Sequence, residues 1–287
     1  MMNNMMKEMT DLEKRLKQDA ESLPILDISS GTNAERIWKG HCNRLRTNIL
    51  EDDPREMLKW WIICHTMYTI GHANWAIMYM AYLRDRPDWR ECWFKAIEDP
   101  GFGHPTPLTS LRYTSHTIIG HAWQLAQFEE RTGVQINDMS YIFEFGGGYG
   151  AMARLVHNLG YEGNYLDYDL PIFKVLTEYY LDSTGPHNVQ CLSDLKALSE
   201  TIKENDHANA LFLSTWALSE TTRQLRTQIL SLVRNYKYFL ITYQPEFKNV
   251  NNKQFFEDWQ NKMSGVNWQT YEIKGVGSHA LIGVRND

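Results

Sequence analysis

Apolar residues recur every three to four positions from residue 33 to about residue 131, with polar residues between them. This spacing is typical of amphipathic helices and predicts a helical first half of the chain. The pattern is interrupted at three sites where proline or glycine should end a helix: Asp53-Pro54, Arg86-Pro87 and the stretch 101–107. Residues 11–20 are mostly charged, with Leu12 and Leu16 as an apolar pair, which predicts an exposed helix that acts as an arm or a lid.

The second half of the chain, after Gly133, shows a different pattern. Short runs rich in β-branched and aromatic residues alternate with helical segments, which predicts a parallel sheet. The five runs are 141–145, 161–169, 189–194, 210–216 and 238–243. Two further strand-like runs flank a turn at 275–278 and predict an antiparallel pair at the sheet edge. We therefore expect an α/β fold with a helical N-terminal domain, 1–132, that serves as a cap or substrate domain, and a mostly parallel sheet domain, 133–287, that carries the ligand site of the sheet.

Composition and charge exclude several classes of function. The 287 residues include 29 basic and 35 acidic side chains, and the resulting net charge of -6 disfavours extended contact with nucleic-acid phosphates. The four cysteines lie far apart with no CxxC pair, so we expect neither a zinc ribbon nor a disulfide framework, and a reducing, cytoplasmic compartment. His116 and His121 are five residues apart, which does not match a metal-ligand pair, and we expect no metal site.

Two parts of the chain bear on membrane insertion, the N-terminus and the uncharged stretch 60–83. The first residues are charged and lack the apolar core of a secretory signal. Residues 60–83 contain no Asp, Glu, Lys or Arg and are long enough to cross a bilayer. The histidines, tyrosines and asparagine in this stretch would be costly at hydrocarbon depth, so we expect no membrane span.

The most informative motif is the glycine-rich stretch in residues 141–155, which combines a strand, a turn and an amphipathic helix. Gly146, Gly148 and Gly150 allow a tight turn and a close approach of the backbone to a ligand. The helix that follows presents unpaired N–H groups at its first turn. The motif therefore predicts a ligand site at the junction of strand and helix.

Two acidic residues end the next predicted strand, about twenty residues further along the chain. Asp167 and Asp169 stand where an acidic side chain takes the hydroxyls of a ribose, which predicts a nucleoside site. One of them could instead cap the segment that begins with Leu170. Both point to the same face of the strand, and Asp169 is nearer the carboxyl end where ligands bind, so we prefer Asp169.

The glycine pattern also fits a dinucleotide site, because Gly146, Gly148 and Ala151 satisfy G-x-G-x-x-G/A. Glu144, inside the strand before the turn, favours a cationic, amine-bearing ligand over a nicotinamide cofactor. The terminal antiparallel pair also differs from the two equal halves of a dinucleotide fold. An NAD-dependent oxidoreductase and a non-catalytic cofactor-binding module remain as alternatives.

These residues resemble class I S-adenosylmethionine (SAM)-dependent methyltransferases. The stretch Glu144–Gly150 is similar to their first motif, Asp169-Leu170 to the acidic turn on the ribose, and Asp194 to the segment beside the adenine. More narrowly, residues 100–287 resemble a sugar O-methyltransferase family of bacterial surface-polysaccharide gene clusters. The resemblance implies a Rossmann-like methyltransferase sheet, SAM as cofactor, and methyl transfer to a hydroxyl of a small polar acceptor, such as a sugar or a sugar nucleotide.

Candidate acceptor and catalytic residues follow from the chemistry of a hydroxyl acceptor, which must be positioned and must lose a proton. Trp216 and Glu220 follow the fourth predicted strand at its carboxyl end, where Trp216 would stack on a ring and Glu220 would accept the proton. Core packing and a helix-terminus contact are the alternative roles for these two residues. His104, in the Gly/Pro stretch, and His279, at the start of the last strand, are the other candidate bases.

Arg112 is a candidate for binding an anionic acceptor, with an ordinary ion pair as the alternative. Seven of the ten tryptophans lie in the helical half; we expect most of them in the core and one or two lining a pocket. The expected partner is a small molecule, and the sequence leaves undecided whether the protein forms a homo-oligomer.

Overall fold

The computed structural model describes residues 8–67, 73–107, 111, 113–205 and 207–286. The first half is helical, as predicted. Its helices are α1 Asp11–Ser22, α2 Asn33–Glu51, α3 Trp61–Thr66, α4 Ala73–Asp85, α5 Phe94–Ala96 and α6 His116–Thr132. The helices α2 and α4 end just before the predicted breaks at Pro54 and Pro87, and no helix forms over 101–107. In these described residues no helix has both the length and the apolar character that a bilayer span requires.

The helix α1 is not the free arm that its charge pattern predicts. It begins with a capping box between Thr10 and Glu13, and it packs against α2 and against a helix of the second half. Leu16 and Ala20 are buried in that contact, and Arg15 forms an ion pair with Asp182. The prediction of an exposed arm was wrong because a narrow apolar stripe is sufficient when two other helices provide a groove for it.

The second half forms a seven-stranded sheet. Its strands are β1 Tyr141–Phe145, β2 Asn164–Tyr168, β3 Val189–Leu192, β4 Ala210–Thr215, β5 Tyr238–Tyr243, β8 Val266–Ile273 and β9 Ser278–Arg285. Between them lie α7 Ala151–Asn158, α8 Pro171–Thr184, α9 Leu195–Glu204, α10 Arg223–Leu232 and α11 Asn252–Gln260. A small hairpin that the sequence pattern did not predict consists of β6 Glu246–Phe247 and β7 Val250–Asn251.

The strand order is β3-β2-β1-β4-β5-β9-β8. The strands β1 to β5 pair in parallel, whereas β9 runs antiparallel to both β5 and β8. This is a mostly parallel, Rossmann-like sheet, so the predicted fold class and the antiparallel pair at the edge are confirmed.

Alternate side chains of each strand face opposite layers of helices. In β1, Ile142 packs with the face that carries α6, α7 and α8, and Phe143 packs with the face that carries α9, α10 and α11. The helices of the first half share one apolar core with the first of these faces. The carboxyl ends of β1, β2 and β4 therefore lie beside the N-terminal helices, and that junction contains the site.

Candidate functional site

A cavity of about 940 Å³, here called the central cavity, lies between the carboxyl ends of the sheet and the N-terminal helices. On the sheet side its wall comes from the ends of β1, β2 and β4 and the turns that follow them. On the other side its wall comes from α2, α4 and α6. Ligands of open parallel sheets bind at this edge, and the volume is at the upper end of the roughly 300 to 1,000 Å³ range of ligand pockets.

The glycine turn after β1 forms part of this wall. Gly146, Gly148 and Gly150 have φ angles of 85°, 69° and 93°, which other residues rarely adopt. A Cβ atom on Gly146 would lie 2.1 Å from the Cβ of Ala217, so this position also requires the absence of a side chain. Gly146 and the residue after it line the central cavity, whereas Gly148 and Gly150 lie behind the wall.

Two buried carboxylates support the turn from β1 and β2. Glu144 is 1% exposed, and its Oε2 accepts a hydrogen bond of 2.6 Å from the hydroxyl of Tyr165. Asp167 stands opposite Glu144 in the parallel pairing, and its Oδ1 accepts a hydrogen bond of 3.0 Å from the backbone N–H of Gly147. Glu144 lines the central cavity, whereas Asp167 holds the turn from behind.

Asp169 lies just after β2 and lines the central cavity together with Leu170. Its Oδ2 accepts a hydrogen bond of 2.8 Å from the N–H of Gly148, and its Oδ1 accepts one of 2.6 Å from the N–H of Leu170. Of the two acidic residues at the end of β2, the structure therefore brings Asp169 to the cavity.

The turn after β4, the strand next to β1 in the sheet, provides the adjoining part of the sheet-side wall. Trp216 has a φ of 63°, a strained angle for a residue with a side chain, and its Nε1 donates a hydrogen bond of 3.0 Å to Ser278 Oγ. Glu220 Oε1 accepts a hydrogen bond of 2.5 Å from Gln244 Nε2, and burial raises the pKa of this carboxyl. The buried Arg226 donates to backbone carbonyls of the same turn, which fixes its shape. Trp216 and Glu220 both line the central cavity.

His104 and His279 are not brought to the cavity wall. His104 is 55% exposed, and its Nδ1 lies 2.6 Å from Glu56 Oε1. The ring of His279 stacks on Tyr243 with centroids 5.5 Å apart.

Asp194 and Arg112 are the remaining residues of the predicted site. Asp194 caps the N-terminus of α9, where its Oδ1 accepts a hydrogen bond of 2.8 Å from the N–H of Ala197, and it does not line the cavity. Arg112 lies outside the described residues.

One polar face of α6 lines the cavity, and it was not predicted from the sequence. His116, His121 and Gln124 lie on this face, and Gly120 between them leaves room for Trp75. The five-residue spacing of His116 and His121 excludes only a metal-ligand pair, and it says nothing about binding through hydrogen bonds. A useful signal was present in the row of polar residues one and two turns apart in an otherwise apolar helix. As predicted, a few tryptophans of the helical half, Trp38 and Trp75, line the cavity.

In the described part of the chain, no group of three or more His, Cys, Asp or Glu side chains is placed to hold a metal ion. The four cysteines are free.

No protein-family profile and no curated protein matches this chain in sequence. Among solved structures, it is similar to precorrin-6y C5,15-methyltransferase from Geobacter metallireducens, with 10% identity, 63% of this chain and 94% of that chain covered, and a TM-score of 0.43. It is also similar to a SAM-dependent methyltransferase from Aquifex aeolicus, with 15% identity, 51% and 82% coverage, and a TM-score of 0.39. A third is magnesium protoporphyrin IX methyltransferase from Synechocystis with bound SAM, with 11% identity, 58% and 76% coverage, and a TM-score of 0.40. At these low identities they are similarities of fold.

The acidic residues around the glycine turn have unusual protonation equilibria. Burial, reinforced by the neighbouring carboxylates, raises the pKa of Glu144 to about 7 and that of Asp167 well above its ordinary range. Burial also raises the pKa of Asp169 to about 6. A small change of pH near neutrality therefore alters the number of negative charges on these carboxyl groups.

We expect the ligand-free protein to lose stability as the pH rises from about 5 to about 8. The raised pKa of Glu144 means that the folded state holds a proton that the unfolded chain releases above about pH 4.5, so its contribution is complete below that pH and is lost as the pH rises through about 7. Urea unfolding at several pH values measures the effect. The Glu144→Gln variant should show a weaker decline, and an unchanged decline would contradict the assignment to this residue.

Proposed function

We propose that this protein is a SAM-dependent methyltransferase that transfers a methyl group to a hydroxyl of a small polar acceptor. The observation that carries the proposal is the acidic lining of the glycine turn. Glu144 and Asp169 line the cavity on either side of Gly146 and Gly147, at the ends of adjacent parallel strands. Carboxylates at these positions suit the α-amino group, the sulfonium and the ribose hydroxyls of SAM.

The same turn is poorly suited to the phosphates of a dinucleotide. A pyrophosphate site needs backbone N–H groups that point at the ligand. Here the N–H of Gly147 bonds to Asp167, that of Gly148 bonds to Asp169, and that of Gly146 bonds to a carbonyl of β2. These three donors are occupied, two of them by carboxylates, which favours a cationic cofactor over NAD.

The residues of this chain divide the work of methyl transfer between two walls. SAM, when bound, supplies an electrophilic methyl group on its sulfonium. Asp169 and Glu144 bind and orient the cofactor beside the glycine turn, and Glu220 on the turn after β4 accepts the proton of the acceptor hydroxyl. Gln244 holds the Glu220 carboxylate through its amide N–H. Burial raises the pKa of Glu220 above that of an exposed glutamate, which brings it closer to neutrality.

The wall of the cavity supports a small acceptor with several hydroxyls, and we propose a sugar-like molecule. Trp38, Trp75 and Trp216 offer flat apolar surfaces, and Gln124 and Gln244 offer amides that can bond to hydroxyls. We further propose the division of labour that the sequence predicted. Residues 1–132 cover the acceptor, and residues 133–287 hold the cofactor and contribute Trp216 and Glu220 to the acceptor side.

Calorimetric titration of the folded protein with S-adenosylhomocysteine (SAH) tests the cofactor directly. We expect one SAH to bind per chain and NAD to give no signal at the same concentration, because the N–H groups of Gly146, Gly147 and Gly148 are already bonded within the protein. Binding of NAD in place of SAH would support an oxidoreductase. If neither ligand binds at millimolar concentration, the proposed function is wrong.

A further inference from the structure

The polar face of α6 contains side chains whose hydrogen-bonding groups are unused. His116 is 6% exposed, and neither of its ring nitrogens has a hydrogen-bond partner among the described residues. Gln124, two turns along, is 2% exposed, and its Oε1 is also without a partner. The Nδ1 of His121 is also buried without a hydrogen-bond partner among the described residues. All three side chains line the central cavity opposite the sheet.

These side chains are costly for a folded protein that binds nothing. Buried polar atoms are nearly always hydrogen-bonded, because leaving one unpaired forfeits its interactions with water. An apolar side chain at any of these positions would avoid that cost. At position 116 a phenylalanine would keep the contact with Trp75, which the ring of His116 meets edge-on with centroids 5.9 Å apart. Three unpaired groups on one face of one helix therefore point to a ligand that supplies their partners.

The charges around the cavity indicate what kind of ligand this is. Among the described residues of the lining, the acidic side chains are Glu35, Glu144, Asp169 and Glu220, and the only basic side chain is Lys39. A phosphate or a carboxylate in this cavity would face mostly negative charge. Hydroxyl groups both donate and accept hydrogen bonds, so they match an imidazole and an amide without adding charge.

We propose that the α6 face formed by His116, His121 and Gln124 binds the methyl acceptor and selects an uncharged, polyhydroxylated ring compound over one with a phosphate or a carboxylate. This inference rests on the proposed function, and it disfavours the sugar nucleotide that the family resemblance also allowed. Burial lowers the pKa of His116 and lowers that of His121 to about 4, so both rings are neutral at pH 7 and each offers one donor and one acceptor.

Ligand-observed saturation-transfer NMR on the SAH-loaded protein tests the inference with matched probes. The uncharged probes are the methyl glycosides of glucose, galactose, mannose and rhamnose, and the charged probes are methyl glucuronide, methyl galacturonide and UDP-glucose. We expect at least one uncharged glycoside to bind and the charged probes to bind at least about tenfold more weakly, because a charged group would lose its hydration against an acidic wall.

The variants are His116→Phe, which keeps the ring against Trp75 and removes both nitrogens, and His187→Asn as a control at an exposed histidine outside the cavity. We expect His116→Phe to weaken glycoside binding by about tenfold, the loss of one or two hydrogen bonds. Its melting temperature should be equal to or above that of the wild type, and its SAH affinity unchanged. The control should match the wild type in all three measurements.

The two proposals fail in different ways. Absence of SAH binding to folded wild-type protein overturns the proposed function. If SAH binds, the inference about α6 is overturned by any of three results: no uncharged glycoside binds, charged probes bind equally well, or His116→Phe keeps the wild-type affinity. A large loss of melting temperature in His116→Phe also overturns it, because the histidine would then be structural.

Discussion

Replacing Glu220 with glutamine should lower the single-turnover rate of methyl transfer by about 10²- to 10⁴-fold while the affinity for SAH stays unchanged. Glutamine has nearly the same shape and can still contact Gln244, so the turn after β4 keeps its structure and only the proton acceptor is lost. The rate of the wild type should rise with pH through an ionisation above the ordinary value of 4.5 for glutamate, because burial raises the pKa of Glu220 and the base acts in its deprotonated form.

The matched comparison uses the other two candidate bases, His104 and His279. Neither lines the central cavity, so His104→Ala and His279→Ala should keep rates close to that of the wild type. The assay needs saturating SAM and an acceptor found among the uncharged glycosides. A wild-type rate in Glu220→Gln together with a large loss in either histidine variant would transfer the role to that histidine.

Replacing Asp169 with alanine should weaken SAH binding by roughly 1 to 3 kcal/mol, because charge-assisted hydrogen bonds to the ribose are lost. The variant also frees the N–H groups of Gly148 and Leu170, so the glycine turn should become less well fixed. Calorimetry gives the affinity, and urea unfolding shows how much of the loss comes from the fold. Asp169→Asn, which retains an oxygen acceptor, should lie between alanine and the wild type.

Two other aspartates serve as controls for the Asp169 result. Asp182→Asn changes a surface ion pair with Arg15 and should leave both affinity and stability nearly unchanged. Asp194→Ala removes the cap of α9 and should cost about 0.5 to 2 kcal/mol of stability without a change in SAH affinity. If Asp194→Ala instead weakens SAH binding as much as Asp169→Ala, the cofactor extends to α9, as the family resemblance implies.

The fold was predictable because its signals are local. The period of the apolar residues distinguishes helices from strands, and the proline and glycine positions mark where α2 and α4 end. The sequence also predicts the glycine turn with Glu144 and Asp169, because a strand, its turn and the end of the adjacent strand lie at fixed spacings in a βαβ unit. The small hairpin β6–β7 was missed because two-residue strands carry no periodicity.

The sequence by itself determined the strand-turn-helix elements, the acidic groups beside the glycine turn and the position of Glu220 after β4. Only the tertiary structure decided which distant residues meet them. His116 lies far along the chain from Glu220, and it shares a cavity with Glu220 because α6 packs on one face of the sheet with the polar side of its first turns toward the cavity. His104 turns instead to Glu56. Spacing along the chain cannot predict such placements, because the packing of whole helices, and not a local rule, sets which side chains converge.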